Sequence, residues 1–394
     1  MKKSLGLLAG VALMASATIG PASSAVAASS KAPITIAFMG VETGVYATPG
    51  RNNDISMAVK QINAEGGVDG HRVQYVAYDA NITPQAAVTA TQKALGNKPT
   101  AFIGYNVDDQ IQATAQLLKQ SGIPVLTQAN GPASGSPAVH VPNLYTTVPS
   151  IITSIQASTS YAYSKYHPTS VGIFHTDDTA SNEDAAADQS LLRKLGVKNF
   201  TVRSASDQAT DTTQQALAMK GDDVVFEYGF PTVEANVTTA LSQNGITAPI
   251  IADQSGNFVA AYGLNKPAEL TKYSFTPFCY PPVLPTKQAK AYVAAYSAAY
   301  PGQSLQTSTP YIYDAVEFLA AAIKADGGNL SPSAINKKLS AITYTGACGT
   351  YQADSNHNLI RQVVLVSYAD GINPGTLAAT FHLGPVPSPY FKGA

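Results

Sequence analysis

Tryptophan is absent from this 394-residue chain, cysteine occurs only twice, and charged side chains make up just 12% of it. Each scarcity excludes something. An average globular chain is roughly 25% charged, so this surface must be covered largely by Ser, Thr, Asn, Gln and Tyr. Lys and Arg number 24 against 25 Asp and Glu. Without a basic excess, neither nucleic acid nor an anionic membrane surface is an expected partner, because both need clustered cations. Disorder is not indicated, since 45% of the residues are hydrophobic and the net charge is −1, whereas disordered chains combine low hydrophobicity with high net charge. A chain this long normally divides into two domains, each with its own core.

Catalytic and metal motifs are also missing. The six histidines, at 71, 140, 167, 175, 357 and 382, show no metal-ligand spacing. There is no G-x-S-x-G elbow and no phosphate-binding G-x-x-x-x-G-K-[ST]. Asp354 to Asn358 imitates the start of a calcium loop, but Leu359 and Leu365 stand where Gly and the bidentate acid belong, so it is a turn. Asp177-Asp178 is better explained as a solvated loop than as an acid–base pair. No enzyme activity and no cofactor are expected.

Long apolar runs are confined to the start. Lys2 and Lys3 precede an apolar stretch from Leu5 to Ala15, and Ala25-Val26-Ala27 forms an A-x-A cleavage site. Residues 1–27 thus have the form of a secretory signal peptide, and no later run approaches the roughly 18 apolar residues of a membrane span. The mature protein is expected to be soluble, periplasmic or secreted, and monomeric. In an oxidising compartment Cys279 and Cys348 are expected to pair.

What is present is alternation. Strand-like runs at 34–38, 73–78, 101–103 and 123–126 alternate with helical patterns at about 53–63, 84–95 and 109–120. After a Pro-bounded passage, 145–149, the pattern restarts. Helices are expected at 151–163, 184–195, 211–218 and 233–243, with strands at 170–174, 199–203, 223–227 and 250–251. Such alternation means βαβ units and parallel sheets. Helices at 286–299 and 311–325 follow, then a strand at 360–368 and a Gly/Pro-rich tail from Asn373. Glycines in Asn63-Ala64-Glu65-Gly66-Gly67-Val68-Asp69-Gly70-His71 end a helix and turn it into a strand.

That turn and the residues after it carry a resemblance. Asn63…Gly66-Gly67-Val68-x-Gly70-x-x-Val73, then Asp79…Pro84-x-x-Ala87-x-x-x-Thr91-x-x-Leu95, resemble the branched-chain amino acid type of substrate-binding protein of ABC importers. Gly104 before a helix, Gly122-Ile123-Pro124-Val125, Tyr313-Asp314-Ala315-Val316 and Gly346-x-x-Gly349-x-Tyr351-x-x-Asp354 continue it in order. The resemblance spans roughly residues 33–370 and implies an α/β fold of two Rossmann-like lobes with parallel sheets joined by a three-segment hinge (the type I periplasmic-binding-protein fold). It places the N-terminal lobe at 32–149 plus 283–345 and the C-terminal lobe at 150–278 plus 350–394. Crossings near 148–150, at 279–282 and at 346–349 would form the hinge. Cys279 and Cys348 would then lie on neighbouring crossings, closing a loop of about 70 residues.

The resemblance also implies a ligand cleft between the lobes, and a membrane permease as partner for the loaded protein. The family's carboxylate-binding Ser falls at Asp108, its backbone amide at Ala129 beside Asn130, and its Thr at Gly131. Ala180 and Phe230 stand where the family has Tyr, and Gln254 where an acid holds the ligand's ammonium. Tyr46, Tyr105, Tyr228 and Tyr280 would sit in cleft-side loops. The scaffold is kept while the free amino acid recognition set departs, so leucine, isoleucine and valine are expected to bind weakly. A neutral, cationic or hydrogen-bond-donating solute is expected instead. The alternative is a ligand-sensing protein that partners a signalling receptor.

Overall fold

The computed structural model describes residues 31–43, 47, 49–131, 141–360 and 362–382. The signal segment, Tyr46 and His140 lie outside them. Among the described residues, no helix is long and apolar enough to cross a membrane.

The first lobe builds a five-stranded, wholly parallel sheet in the order β2-β1-β3-β4-β5. Its elements are β1 (Ile34–Gly40), α1 (Pro49–Ala64), β2 (Val73–Asp79), α2 (Pro84–Gly96), β3 (Ala101–Gly104), α3 (Asp108–Ser121), β4 (Val125–Thr127) and β5 (Leu144–Thr146). The chain then crosses into the second lobe. There it forms α4 (Ile151–Tyr166), β6 (Ser170–Thr176), α5 (Thr179–Lys194), β7 (Asn199–Ala205), α6 (Thr213–Ala218), β8 (Val224–Tyr228), α7 (Pro231–Gln243), β9 (Ile250–Ala252), α8 (Gly256–Ala261) and β10 (Tyr273–Phe275). It returns to the first lobe as α9 (Lys287–Ala299), α10 (Pro310–Lys324), α11 (Pro332–Leu339) and the hairpin β11 (Tyr344–Thr345) with β12 (Thr350–Tyr351). It ends in the second as β13 (Gln362–Ser367) and β14 (Thr376–His382).

Local chemistry sets these boundaries. Thr83 accepts the Ala86 amide at 3.3 Å and Pro84 follows it, a combination that starts α2. Ser150 accepts the Thr153 amide and starts α4, and Asp178 does the same for α5 through Ser181. Gly66 and Gly67 have φ of 97° and 79°, which a side chain would strain, and they turn α1 toward β2. Each sheet is apolar on both faces, as parallel strands require. Helices α1 and α10 cover one face of the first sheet, with Phe38, Ile55, Val316 and Phe318 fully buried, and α2 and α3 cover the other. In the second lobe α7 and α8 pack opposite α4 and α5.

Three features differ from the sequence expectation. The Gly/Pro-rich tail holds β14, which pairs antiparallel with β13, itself antiparallel to β10, so the second sheet reads β14-β13-β10-β9-β8-β6-β7. Helices α8 and α11 are additional, being short and weakly patterned. Residues 350–360, expected in the second lobe, stay with the first. There Thr146 donates to the His357 carbonyl and accepts from the Leu359 amide, both at 3.0 Å. His357 stacks on Tyr145 at 4.5 Å, and Tyr351, Leu359 and Ile360 are buried in the first core. This segment satisfies the β5 edge, which would otherwise expose unpaired backbone groups. The chain therefore stays with the first lobe through Ile360, past the crossing expected at 346–349.

Cys279 and Cys348 form a disulfide, with their Cα atoms 5.2 Å apart. Cys348 is buried in the first core and Cys279 packs against it. The bond thus fastens the second crossing to the first lobe. Asp314 on α10 holds the same turn, accepting from the amides of Ala347 at 2.9 Å and Cys348 at 2.8 Å and from the Tyr351 hydroxyl at 3.0 Å.

Candidate functional site

Parallel strands all end on the same edge of their sheet, so loops gather outside the carboxyl ends of β1, β3 and β4 in one lobe and β6, β8 and β9 in the other. Five of these six loops open directly onto a helix N-terminus: α1, α3, α5, α7 and α8. Amides at such ends favour polar and anionic groups. The two edges meet around a cavity of about 100 Å³. Ile82, Val107 and Asp108 line it from the first lobe, and Asp178, Ala180 and Phe230 from the second.

In the first lobe, Asp108 is the first residue of α3, and Val107 occupies the cap position. Its carboxylate is buried and accepts the Gly131 amide at 3.2 Å, which latches the loop after β3 to the loop after β4. A Cβ at position 131 would lie 1.9 Å from Asp108 Oδ2. A side chain at 131 would therefore displace the Asp108 carboxylate from its present place, which couples the two departures from the family. The Ala129 amide donates to Thr127 Oγ1 at 2.9 Å, and Asn130 holds the first crossing through Pro149 and Ile151. The amide and acid that the resemblance offers to a ligand are engaged by the chain itself.

The second lobe presents carboxylates. Asp178 takes the Ser181 amide at 2.9 Å. Asp184, one turn on, is 5% exposed, and burial holds its carboxyl well above the usual range. Asp253, Asp108, Asp178 and Glu183 raise it further by repulsion. Asp253 follows β9 and accepts from the amides of Gly229 at 3.3 Å and Ser255 at 2.7 Å. Burial pushes it up to about 6. The Ser255 hydroxyl stands 2.7 Å from Glu234 and 2.8 Å from Asp253, bridging two buried acids. Gln254 points away from this group and donates to Ser154 on α4 at 3.2 Å.

The tyrosine expectations fail for a common reason. Tyr105 is fully buried behind the sheet, with its hydroxyl 2.8 Å from Thr91. Tyr228 is buried among the residues under α4 and α5. Tyr280 packs into the other core of that lobe and donates to the Pro374 carbonyl at 2.8 Å. None offers a ring face to the cleft. Phe230 does, through the cavity it lines.

Sequence reasoning passed over three residues. Asp253 is an acid next to Gln254, and its signal was its place at a strand end. Asp184 carried no local signal, because its burial and the approach of Asp253 and Asp108 arise only in the fold. Arg51, in the first turn of α1, is the buried cation of the first lobe, 9% exposed. Its Nη1 donates to Gln128 Oε1 at 3.1 Å and to Asn106 Oδ1. Those partners sit on the loops after β4 and β3. A cation at a helix N-terminus opposes the helix dipole, and that placement was its signal.

Comparison with known proteins agrees with this arrangement. The sequence profile of a family described as periplasmic binding protein matches residues 33–372. An amino acid binding protein of Pseudomonas aeruginosa is 24% identical over 307 residues, covering 76% of this chain and 80% of its own. A Leu/Ile/Val-binding protein of Escherichia coli is 26% identical over 204 residues, half of this chain and 54% of its own. Among solved structures, the branched-chain amino acid transporter substrate-binding protein LivJ of Streptococcus pneumoniae, in complex with isoleucine, superposes with a TM-score of 0.76 at 20% identity. It covers 90% of this chain and all of its own. A solute-binding protein of an ABC transporter from R. palustris, in complex with 4-hydroxybenzoate, scores 0.77 at 18% identity, covering 90% and 98%.

Proposed function

Since the chain belongs to the periplasmic binding protein family, we propose that it captures a small polar solute between its lobes outside the cytoplasm and delivers it to the permease of an ABC importer. Its relatives and structural neighbours are binding proteins, not enzymes. The observation that supports capture is the meeting of both strand-end edges around one cavity, with Asp108 facing Asp178 and Phe230. Clefts between domains are preferred small-molecule sites.

The neighbours' ligands differ, isoleucine in one and 4-hydroxybenzoate in another, so the fold does not set the solute. Here the family's carboxylate-side positions are engaged within the chain, the Gly131 amide by Asp108 and the Ala129 amide by Thr127. Leucine, isoleucine and valine are accordingly expected to bind weakly, and the second lobe's acids favour a solute with a cationic or hydrogen-bond-donating group. A thermal-shift screen over amino acids, amides, aromatic acids and polyols tests this, because a ligand at 100 times its dissociation constant adds about 2.7 kcal/mol. Small-angle scattering should show compaction with the hit. An unchanged radius at saturation would speak against closure, and micromolar leucine binding against the reading of the pocket.

A further inference from the structure

We propose that Arg51 binds a carboxylate at one end of the captured solute, whose other end carries the cationic or hydrogen-bond-donating group that the second lobe's acids favour, through the edge of its guanidinium formed by Nε and Nη2. The inference rests on the solute-binding reading and adds a specificity residue to it.

Arg51 is placed at a cost on three counts. It is nine-tenths buried, and a buried charge is expensive unless it is paired. Among the described residues no carboxylate lies within ion-pair distance of it, the one salt bridge there being Lys338 with Asp326; every Asp and Glu of the chain is among those residues. It also stands in the first turn of a helix, where the dipole disfavours a cation.

The hydrogen bonds narrow the role. Both go from Nη1, to Asn106 and Gln128, which uses the two hydrogens of that nitrogen and fixes the plane of the group. Nε is buried without a partner. A guanidinium has five N–H donors; the Nε–H and one Nη2–H lie parallel and match the two oxygens of a carboxylate. Asn106 and Gln128 are themselves buried and come from the loops after β3 and β4, so the group is held at the cleft edge of the first sheet. A purely structural bridge between those loops would need no charge: a neutral donor serves two amide oxygens equally well. Asp178, Asp184 and Asp253 stand at the second lobe's edge, and Arg51 is the one Lys or Arg buried among the described residues, so it is the cation suited to a carboxylate held between the lobes.

The test uses the whole exported protein and matched pairs that differ only in charge: 4-hydroxybenzoate with 4-hydroxybenzamide, 4-aminobutanoate with 4-aminobutanamide, and hexanoate with hexanamide. Calorimetry on the wild type should favour the carboxylate of at least one pair by about 10- to 100-fold, the range for a charge-assisted hydrogen bond. Arg51→Gln should remove that preference and leave the amide within about twofold, and Arg51→Lys should restore part of it. Because Arg51→Gln relieves a buried unpaired cation, its ligand-free unfolding midpoint should be unchanged or higher, which separates lost binding from lost folding. Binding of a carboxylate that Arg51→Gln leaves intact would overturn the assignment. So would a screen in which only uncharged or cationic solutes bind. Should no solute of any class bind, the solute-binding reading itself would fall, and this inference with it.

Discussion

The two lobes follow one plan of parallel strands ending at a shared cleft, yet they fill their cleft-facing loops with opposite chemistry. The first lobe ties its loops with amides and one internal carboxylate: Asp108 to Gly131, Ala129 to Thr127, and Arg51 to Asn106 and Gln128. The second leaves acids in its loops and first turns: Asp178, Asp184, Asp253 and Glu234. The lobes differ in bracing as well. The first has a disulfide and the Asp314 carboxylate locking its last turn, and among the described residues the second has neither. The difference teaches that topology fixes where a site forms, while individual substitutions decide its polarity. A rigid half with one cation faces a half whose acids repel one another until something positive, or a proton, joins them.

The largest effect should come from the brace. Replacing Cys279 and Cys348 by Ala opens a loop of 69 residues, worth about 4 kcal/mol in the chain-entropy model. Chemical denaturation should show a loss of that order. Hydrogen exchange should locate the loosening at 276–284 and 344–360, with β6, β8 and β9 little changed. Equal loosening in both lobes would erase the asymmetry claimed for the bracing.

Next in size is the latch. Gly131→Thr forces a Cβ against Asp108 Oδ2 and should cost about 2 kcal/mol, as overpacking of a rigid site does. Pairing it with Asp108→Ser, which restores the family's residues at both positions, should recover about 1–2 kcal/mol. The double variant should also gain affinity for leucine. Strict additivity in the cycle would mean that the two positions are independent and that the first lobe's loops are not closed upon themselves.

Most of the fold was legible because period and turn chemistry are local. The α/β alternation and the Gly66-Gly67 turn placed the major helices and strands within a few residues. What escaped was set by partners distant in sequence. Residues 350–360 have no signal of their own and follow the open edge of β5. Tyr105, Tyr228 and Tyr280 were placed in cleft-side loops by position, although an aromatic ring at a strand end turns into the core when a helix covers it. At the site, the resemblance pointed to the strand-end loops, and Asp253 stands in one of them beside Gln254. Arg51 lay outside every quoted motif, and its place at a helix N-terminus without a carboxylate beside it is what exposes it.

The smallest effect concerns the acids of the second lobe, and its sign follows from linkage. Burial raises Asp188 to about 7 and Asp253 to about 6, and lifts Asp184 well above its ordinary 3.8. In the first lobe Asp54 rises to about 7 and Asp314 to about 6 for the same reason. A carboxyl whose folded pKa exceeds its unfolded one binds more protons when folded, between the two values. Stability is therefore lost as pH climbs from about 4 toward 7, and the ligand-free protein should unfold at a lower temperature at pH 8 than at pH 5. Asp184→Asn removes one of these buried acids, which Asp108 opposes from across the cleft. The amide keeps the shape and removes a charge that Asp108, Asp178, Glu183 and Asp253 all oppose. At pH 8 the variant should be more stable than the wild type. The gain should shrink toward pH 5, where the wild-type carboxyl is protonated in the fold at little cost. Urea melts at the two pH values measure it. A variant no more stable at pH 8 than the wild type would show that Asp184 is already compensated, and the contrast between an acid-strained lobe and a satisfied one would have to rest on Asp253 and Glu234 alone.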